Sequence, residues 1–241
     1  ALRSMNMADL VKNLQLTYVL PTGAVVTEPS HQRMALVAHL YYMDLLEKML
    51  TYIRNMPEGC DLILTVESEK KAEQVRKACE GLPFNVEVRL IENRGRDVSA
   101  LLVGLKDVIA NYDLVCFIHD KKVTQLSLYS KGDGFAIKCF ENLLPTREFV
   151  SNVVATFDRE PRLGMLMPTP PNHADYFPIS AFGWGPNFVR TRKLLAELGI
   201  SVPMDHDKEP IAPLGTMFWF RPAALAPLFD HDWKWEDFPP E

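Results

Sequence analysis

The sequence predicts an α/β fold in which a mostly parallel sheet is flanked by helices. Four strand-like segments are evenly spaced through the first half of the 241-residue chain: three are continuous apolar runs, and the third in order, residues 85–91, alternates apolar and polar residues. The segments between them carry apolar residues at helical spacing. This alternation is typical of right-handed βαβ units, because a connection between parallel strands needs a long crossover, usually a helix.

The first half contains the clearest elements. The predicted strands are residues 35–41, 60–66, 85–91 and 112–118. The predicted helices between them are residues 44–55, 69–80 and 98–110. Ser68 is a suitable N-cap for the second helix, and Gly81 ends it.

The second half is less regular, although it still mixes helices and strands. The predicted helices are residues 135–144, 148–157 and 187–198, with a further short helix that Pro222 opens. The predicted short strands are residues 163–167 and 215–220. Residues 1–34 are expected to be a lead-in segment, and residues 35–241 a single domain.

Composition narrows the possible classes of function. The formal net charge is −5, which argues against a nucleic-acid-binding protein, since such proteins are normally basic. The four cysteines are scattered without a CxxC spacing, so we expect neither structural zinc nor a disulfide framework. No run approaches the ~20 apolar residues of a membrane span, and no signal peptide is evident. A cytoplasmic location is expected.

Polar side chains follow the third and fourth predicted strands. One cluster is Asn-Arg-Gly-Arg-Asp at residues 93–97, and the other is His-Asp-Lys-Lys at residues 119–122. Ligands of open α/β sheets bind outside the carboxyl ends of the strands. Acids, a histidine and four cations at that edge favour a phosphorylated ligand, with or without a metal ion.

Several motifs, taken together, resemble a known family. They are Ala-His-Leu-Tyr-Tyr at 38–42, Glu-Asn-Arg-Gly-Arg-Asp at 92–97, His-Asp-Lys-Lys at 119–122, Gly-Thr-Met-Phe-Trp at 215–219 and Glu-Asp-Phe-Pro-Pro-Glu at 236–241. The order of elements resembles a GT-A glycosyltransferase, which has a Rossmann-like sheet and an irregular acceptor half. More specifically, the chain is similar to the bacterial rhamnan synthesis protein F family.

This resemblance implies a role in assembling cell-surface polysaccharide, including rhamnose-rich glycans and lipopolysaccharide. It implies an inverting transferase that moves a deoxyhexose from a nucleotide sugar, with dTDP-rhamnose as the suspected donor. The acceptor would be a glycan or a lipid-linked glycan, with peripheral contact at the inner face of the cell membrane. Residues 35–122 would then be the nucleotide-binding half and residues 123–241 the acceptor half, cut short at its C-terminus.

The resemblance also implies a donor site, and three interpretations of it stay open. GT-A enzymes hold a divalent metal with an Asp-x-Asp motif after the fourth strand, where this chain has His119, Asp120 and Lys121. Asp120 and His119 can hold Mg²⁺ or Mn²⁺, of which Mn²⁺ better tolerates a histidine. Alternatively, Lys121 and Lys122 neutralise the diphosphate without a metal. The third interpretation is that residues 119–122 bind no ligand and are only a solvated strand end.

The polar loop at 93–97 is the second candidate for diphosphate binding. Arg94 and Arg96 can each clamp a phosphate with two hydrogen bonds, and Gly95 allows close backbone approach. Asp97 either lines the site or only caps the following helix. Both roles are compatible.

The resemblance places recognition of the nucleotide base after the first and second strands. His39 and Tyr41 follow the first strand, where a tyrosine ring can stack on thymine or uracil. A buried core tyrosine is the alternative. Glu67 ends the second strand, where it either reads the base or ribose or only starts a helix.

Catalysis and acceptor binding are expected toward the C-terminus. Asp237 is the expected general base and Glu236 the second choice, since inverting GT-A enzymes carry an acidic pair there. Trp235 can stack on a sugar and help to desolvate the carboxylates. Trp184 and His173 can line the acceptor site. The alternative for the acidic pair is a frayed chain end.

Two other classes of function remain open. One is a non-catalytic module that binds glycan or partner enzymes, which the altered metal motif favours. The other is a metallohydrolase built from His39, His119, Asp120 and His173, although no HxH or HExxH spacing supports it.

Overall fold

The computed structural model describes residues 20–23, 30–122, 129–169, 184–208 and 210–240, with the side chains of 129–133 left out. Most of the predicted lead-in segment, and His173, lie outside these ranges. The elements below belong to the described part of the chain.

The sheet confirms the predicted fold class. Its strands are β1 (Met34–His39), β2 (Asp61–Val66), β3 (Asn85–Leu90), β4 (Leu114–His119), β5 (Met165–Leu166) and β6 (Phe218–Phe220). The order across the six-stranded sheet is β3-β2-β1-β4-β6-β5. The first four strands in this order are parallel, whereas β6 runs antiparallel to both β4 and β5. The result is a Rossmann-like, mostly parallel sheet.

Helices cover both faces of this sheet. They are α1 (Leu46–Ile53), α2 (Glu69–Ala78), α3 (Arg96–Leu102), α4 (Lys106–Ile109), α5 (Tyr129–Glu141), α6 (Arg147–Arg159), α7 (Asn187–Glu197) and α8 (Ala226–Phe229). Short 3₁₀ turns occupy Met43–Leu45, Pro222–Leu225 and Trp235–Asp237.

Alternation along the strands divides the core into two layers. Leu36 and Cys116 face one layer, which α1, α2, α5 and α6 complete. Val37 and Phe117 face the other layer, which α3, α4 and α8 complete. Because successive side chains of a strand point to opposite faces, continuous apolar runs of this kind belong to strands buried on both sides.

The predicted helix at 98–110 is wrong in detail, because the chain forms two short helices there. A side chain at Gly104 would lie 2.9 Å from the carbonyl oxygen of Ala100 and 2.9 Å from the Ile91 side chain. The chain therefore breaks where it packs closely against the end of β3. The N-cap position belongs to Gly95, with φ of +71°, and not to Asp97, which is the second residue of α3.

Two smaller expectations also differ. Ser68 occupies the N-cap position of α2, but its side chain makes no capping hydrogen bond. The strand predicted at 215–220 is reduced to β6, because Gly215 and Thr216 have φ of +90° and +54°. These angles belong to a turn and not to extended backbone.

Substitution of Trp219 tests the packing of the layer that contains Leu36 and Cys116. It is fully buried, and its indole N–H donates to the Leu143 carbonyl at 3.2 Å. We expect Trp219→Phe to lower the free energy of unfolding by about 2–3 kcal/mol, because it leaves a cavity and an unpaired carbonyl. Urea unfolding measures this loss. Trp184→Phe is the matched control, since Trp184 is only half-buried, and an equal loss in both variants would contradict the assignment.

Candidate functional site

The candidate site lies where the order of strands reverses. From β1 the chain adds β2 and β3 on one side, and then places β4 on the other side of β1. A reversal of this kind leaves room for a crevice at the carboxyl ends of the two strands, and such a crevice is the usual ligand site of these sheets. In this structure His39 and His119 are paired in register at that point. We call this place the switch point.

His39 is a buried and neutral histidine. Its Nδ1 lies 3.0 Å from the Thr65 hydroxyl on β2. Burial, and secondarily the neighbouring His119, lowers the pKa of His39 from 6.5 to about 4. The imidazole is therefore uncharged at neutral pH and can donate or accept a hydrogen bond.

His119 is held on both sides by carbonyl oxygens. Its Nδ1 lies 2.8 Å from the carbonyl oxygen of Asp120, and its Nε2 lies 2.7 Å from that of Gly215. The Asp97 carboxylate approaches the same Nε2 at 3.7 Å. Both ring nitrogens therefore face acceptors inside the protein, and neither points at an open coordination position.

Asp120 ties the end of β4 to the loop after β1. Its Oδ2 accepts the backbone N–H of Tyr41 at 2.7 Å and also that of Tyr42. Burial raises the pKa of Asp120 from 3.8 to about 6, although these two amide hydrogen bonds oppose the rise. The carboxylate fixes the backbone that carries Tyr41 beside the switch point.

Lys71 links the candidate base-binding residues to one another. Its Nζ lies 2.5 Å from Glu67 Oε1, donates to the Tyr41 carbonyl, and lies 4.3 Å from the centre of the Tyr41 ring. Sequence reasoning missed Lys71, although a cation four residues after Glu67, in the first turn of the helix that follows, was a usable signal. The carbonyl of Gly215 was also missed, and no local signal in the sequence could have identified it.

Two carboxylate oxygens near the switch point lack hydrogen bonds. Within the described part of the chain, Glu67 Oε2 and Asp97 Oδ2 are buried without a hydrogen-bond partner. A buried acceptor that lacks a donor is costly, so such atoms need an explanation.

The two lysines after β4 diverge. Lys121 Nζ lies 4.1 Å from the centre of the Phe135 ring, and burial lowers the pKa of Lys121. Lys122 Nζ pairs with Asp44 at 2.6 Å and lies 5.6 Å from the Tyr42 ring centre. Each ammonium thus has a partner of its own on a different side of the strand end.

The loop at 93–97 binds the C-terminal part of the chain. Arg94 Nε donates to the Phe238 carbonyl at 2.6 Å, and Nη2 donates to that of Glu236 at 3.5 Å. The Gly95 N–H donates to the Pro239 carbonyl at 3.0 Å, and Arg94 pairs with Pro240 in an antiparallel bridge. We call residues 235–240 the C-terminal strap. The close backbone approach that we expected at Gly95 is therefore made by the C-terminal strap.

The strap carries the candidate catalytic acids. Glu236 and Asp237 are exposed and Trp235 is half-buried. Asp237 Oδ2 accepts the Lys234 N–H at 2.9 Å, which closes the local 3₁₀ turn. The hydrogen bonds to the loop at 93–97 show a docked segment, so the alternative of a frayed end is wrong for residues 235–240.

Other predicted site residues lie elsewhere. Arg96 is exposed, with φ of +58°, at the start of α3. Trp184 donates its indole N–H to the Asp205 carbonyl at 3.0 Å, beside α7. His173 lies outside the described residues, so its predicted role in acceptor binding is untested.

A metal site at His119 and Asp120 does not fit this arrangement. Among the described residues, no three His, Cys, Asp or Glu side chains converge as a group able to hold a metal ion. Both nitrogens of His119 and one oxygen of Asp120 already bond the protein backbone. Dependence on Mg²⁺ or Mn²⁺ remains a prediction.

A separate cleft lies at the opposite edge of the sheet. It measures about 330 Å³ and is lined by the amino ends of β1 and β2 with Arg33, Glu58 and Tyr112. The Tyr112 hydroxyl donates to Asp61 at 2.8 Å. None of the predicted site residues contacts this cleft, so it is distinct from the switch point.

None of the helices within the described ranges combines the length and the apolar character needed to cross a bilayer.

Comparison with known proteins gives two findings. A family model described as rhamnan synthesis protein F matches residues 2–241. Two curated relatives from Xanthomonas campestris pv. campestris, strains B100 and ATCC 33913, are each 30% identical to this chain over 207 residues, and both are described as uncharacterized protein WxcX. The match covers 86% of this chain but only 28% of each relative.

Asp120 makes the stability depend on pH. Its pKa is higher in the folded chain than in the unfolded chain, so stability falls as pH rises from about 4 to about 6. Asp120→Asn keeps an acceptor for the amides of Tyr41 and Tyr42 but cannot ionise. We expect the free energy of unfolding of the variant, minus that of the parent, to rise by about 2–3 kcal/mol between pH 3.5 and pH 7.5. Urea unfolding at both pH values measures this, and a constant difference would contradict the assignment.

His39 makes the stability depend on pH in the opposite direction from Asp120. Its pKa is lower in the folded chain, so stability is lost as pH falls from 6.5 to about 4. Asn can replace the hydrogen bond to Thr65 without titrating. We expect the parent to lose about 3 kcal/mol more than His39→Asn over that range, as measured by urea unfolding. His31→Asn removes an exposed imidazole and serves as the control. Parallel pH curves for parent and His39→Asn would show that His39 is not buried as described.

Proposed function

Because the chain belongs to the rhamnan synthesis protein F family, which implies involvement in polysaccharide synthesis, we propose that it is a nucleotide-sugar-dependent glycosyltransferase domain. The donor we propose is dTDP-rhamnose, and the product is an extended cell-surface polysaccharide. The relatives are much longer than this chain, so the activity of the whole protein is part of the same proposal.

One observation carries the proposal. His39 and His119 lie at the switch point, beside two buried carboxylate oxygens that lack hydrogen-bond donors in the described residues. A sugar nucleotide has many hydroxyl and N–H donors, whereas an apolar ligand has none. The chemistry of the crevice therefore favours a polyhydroxylated ligand.

The residues around the switch point suggest an orientation for the donor. Tyr41 and Glu67, held together by Lys71, would contact the nucleoside. Asp97 and His119 would contact the sugar, and Lys121 and Lys122 would be the cations nearest the diphosphate. The uncharged imidazole of His39 would form a hydrogen bond to the ligand between its nucleoside and its sugar.

Transfer needs a base on the acceptor side. We propose that Asp237, with Glu236 as the second choice, removes the proton from an acceptor hydroxyl as its oxygen attacks the anomeric carbon. The bond from that carbon to the diphosphate oxygen breaks on the opposite face, so the configuration inverts and dTDP leaves with the bonding electron pair. The cationic lysines stabilise the negative charge that develops on the leaving group.

A non-catalytic binding module is the second candidate. The observation that favours it is the occupation of both nitrogens of His119 by backbone carbonyls, which leaves the usual metal position unformed. Such a module would bind a nucleotide sugar or a glycan without turnover.

Titration calorimetry on the purified chain tests the proposal. The ligands are dTDP-rhamnose, UDP-glucose and GDP-mannose, each with and without Mn²⁺. We expect selective binding of dTDP-rhamnose, and its dependence on Mn²⁺ reports whether a metal contributes. No heat from any donor, with a folded sample confirmed by circular dichroism, would contradict the proposed function. Binding without transfer would favour the second candidate.

The base assignment has its own test. Asp237→Asn keeps the acceptor for the Lys234 N–H but cannot take a proton, so we expect kcat for transfer to fall by about 100-fold or more. Affinity for dTDP-rhamnose, measured by calorimetry, should stay within about twofold, because Asp237 touches the acceptor and not the donor. Asp207→Asn changes an exposed loop carboxylate and is the control. Unchanged turnover in Asp237→Asn would exclude Asp237 as the base.

A further inference from the structure

We infer that Arg94 and Gly95 are positioning residues, which hold the C-terminal strap against the loop at 93–97 and thereby place Glu236 and Asp237 beside the site. This inference rests on the proposed function for its catalytic part only. Sequence reasoning assigned Arg94 to phosphate binding, and the contacts of its guanidinium favour a different role.

The contacts of Arg94 go to main-chain oxygens of the strap. Its Nε and Nη2 donate to the carbonyls of Phe238 and Glu236 at 2.6 and 3.5 Å. The Gly95 N–H adds a bond to the Pro239 carbonyl at 3.0 Å. These bonds hold the backbone of the strap and use neither carboxylate of the acidic pair. The catalytic groups are therefore positioned without being neutralised by the residues that position them.

Close packing between Gly95 and Phe238 also holds the strap against the loop at 93–97. A Cβ at Gly95 would lie 2.5 Å from Phe238 Cβ, closer than real side-chain atoms approach. The φ of +71° at Gly95 is also unfavourable for any other residue. Phe238 packs against the apolar layer that contains Val37 and Phe117, and its ring centre lies 5.7 Å from that of Trp233. The strap is thus anchored to the sheet as well as to the loop.

The loop reaches the switch point on its other side. Asp97 follows Gly95 by two residues, and its carboxylate lies 3.7 Å from His119 Nε2. The Ser99 hydroxyl donates to the Arg94 carbonyl and fixes the loop to the first turn of α3. The loop at 93–97 therefore contacts the proposed nucleotide-sugar site through Asp97, and it contacts the segment that carries the proposed base through Arg94 and Gly95. Its geometry sets the distance between that site and that base.

Two substitutions separate positioning from phosphate binding. Arg94→Gln removes the charge and the fork of donors, whereas Arg94→Lys keeps the charge and loses the fork. Lysine keeps the positive charge that attracts a phosphate, but it cannot donate to two carbonyls at once in the way that the guanidinium does. Arg89→Gln is the matched control, because Arg89 is a partly buried arginine on β3 that pairs with Glu87 and Asp107.

Hydrogen–deuterium exchange followed by mass spectrometry tests the positioning role without needing any activity. We expect Arg94→Gln and Arg94→Lys each to speed exchange at least tenfold in peptides covering residues 232–238, while peptides covering Asp61–Val66 stay unchanged. Gly95→Ala should loosen the same peptides, and Arg89→Gln should not. Unchanged exchange at 232–238 in both Arg94 variants, or faster exchange throughout the chain, would overturn the inference.

The catalytic part has a second readout. We expect both Arg94 variants to lower kcat for transfer at least tenfold with dTDP-rhamnose affinity within threefold of the parent. If Arg94→Gln instead weakens binding of dTDP much more than binding of thymidine, and Arg94→Lys restores it, Arg94 is a phosphate ligand and the inference is wrong. If the parent shows no transfer at all, the proposed function fails while the exchange result still decides the role of the strap.

Discussion

The parallel pairing of β1 with β4 is the constraint on which the rest of the site depends. It brings His39 opposite His119 at the carboxyl ends of two strands, in which residues 35–38 and 114–118 are completely buried. A shift of one residue would turn every side chain of a strand to the other face and would move the polar residues at the strand ends relative to one another. Asp120 follows His119 directly and can therefore reach the amides of the loop after β1.

This register concentrates polar groups in one place at a cost in stability. Burial opposes the charge on both His39 and Asp120, and their pKa values move in opposite directions. Between pH 4 and 6 the two groups therefore change the free energy of unfolding with opposite sign, and their effects largely cancel. Burial of polar groups at the site lowers the free energy of unfolding, and the apolar layers on both faces of the sheet offset this loss, as is usual for functional sites.

The fold was largely predictable from the sequence, and the site only in part. Continuous apolar runs identify β1, β2 and β4, and an alternating pattern identifies β3. With helical segments between them, these strands have few arrangements other than a parallel sheet. The break at Gly104 and the cap at Gly95 depend on contacts with Ile91 and Phe238, which are distant in sequence or belong to another element. For the same reason the sequence could suggest that Arg94 binds an anion, but could not show that its guanidinium meets the carbonyls of the strap.

The most direct test of the central claim is a nuclear magnetic resonance titration of the ¹⁵N-histidine-labelled chain with dTDP-rhamnose. His39→Asn assigns the resonances of His39. A donor that binds at the switch point will shift the signals of His39 and His119, and will leave those of the exposed His31 and His206 in place. Unchanged signals from His39 and His119 at saturating donor would contradict the account.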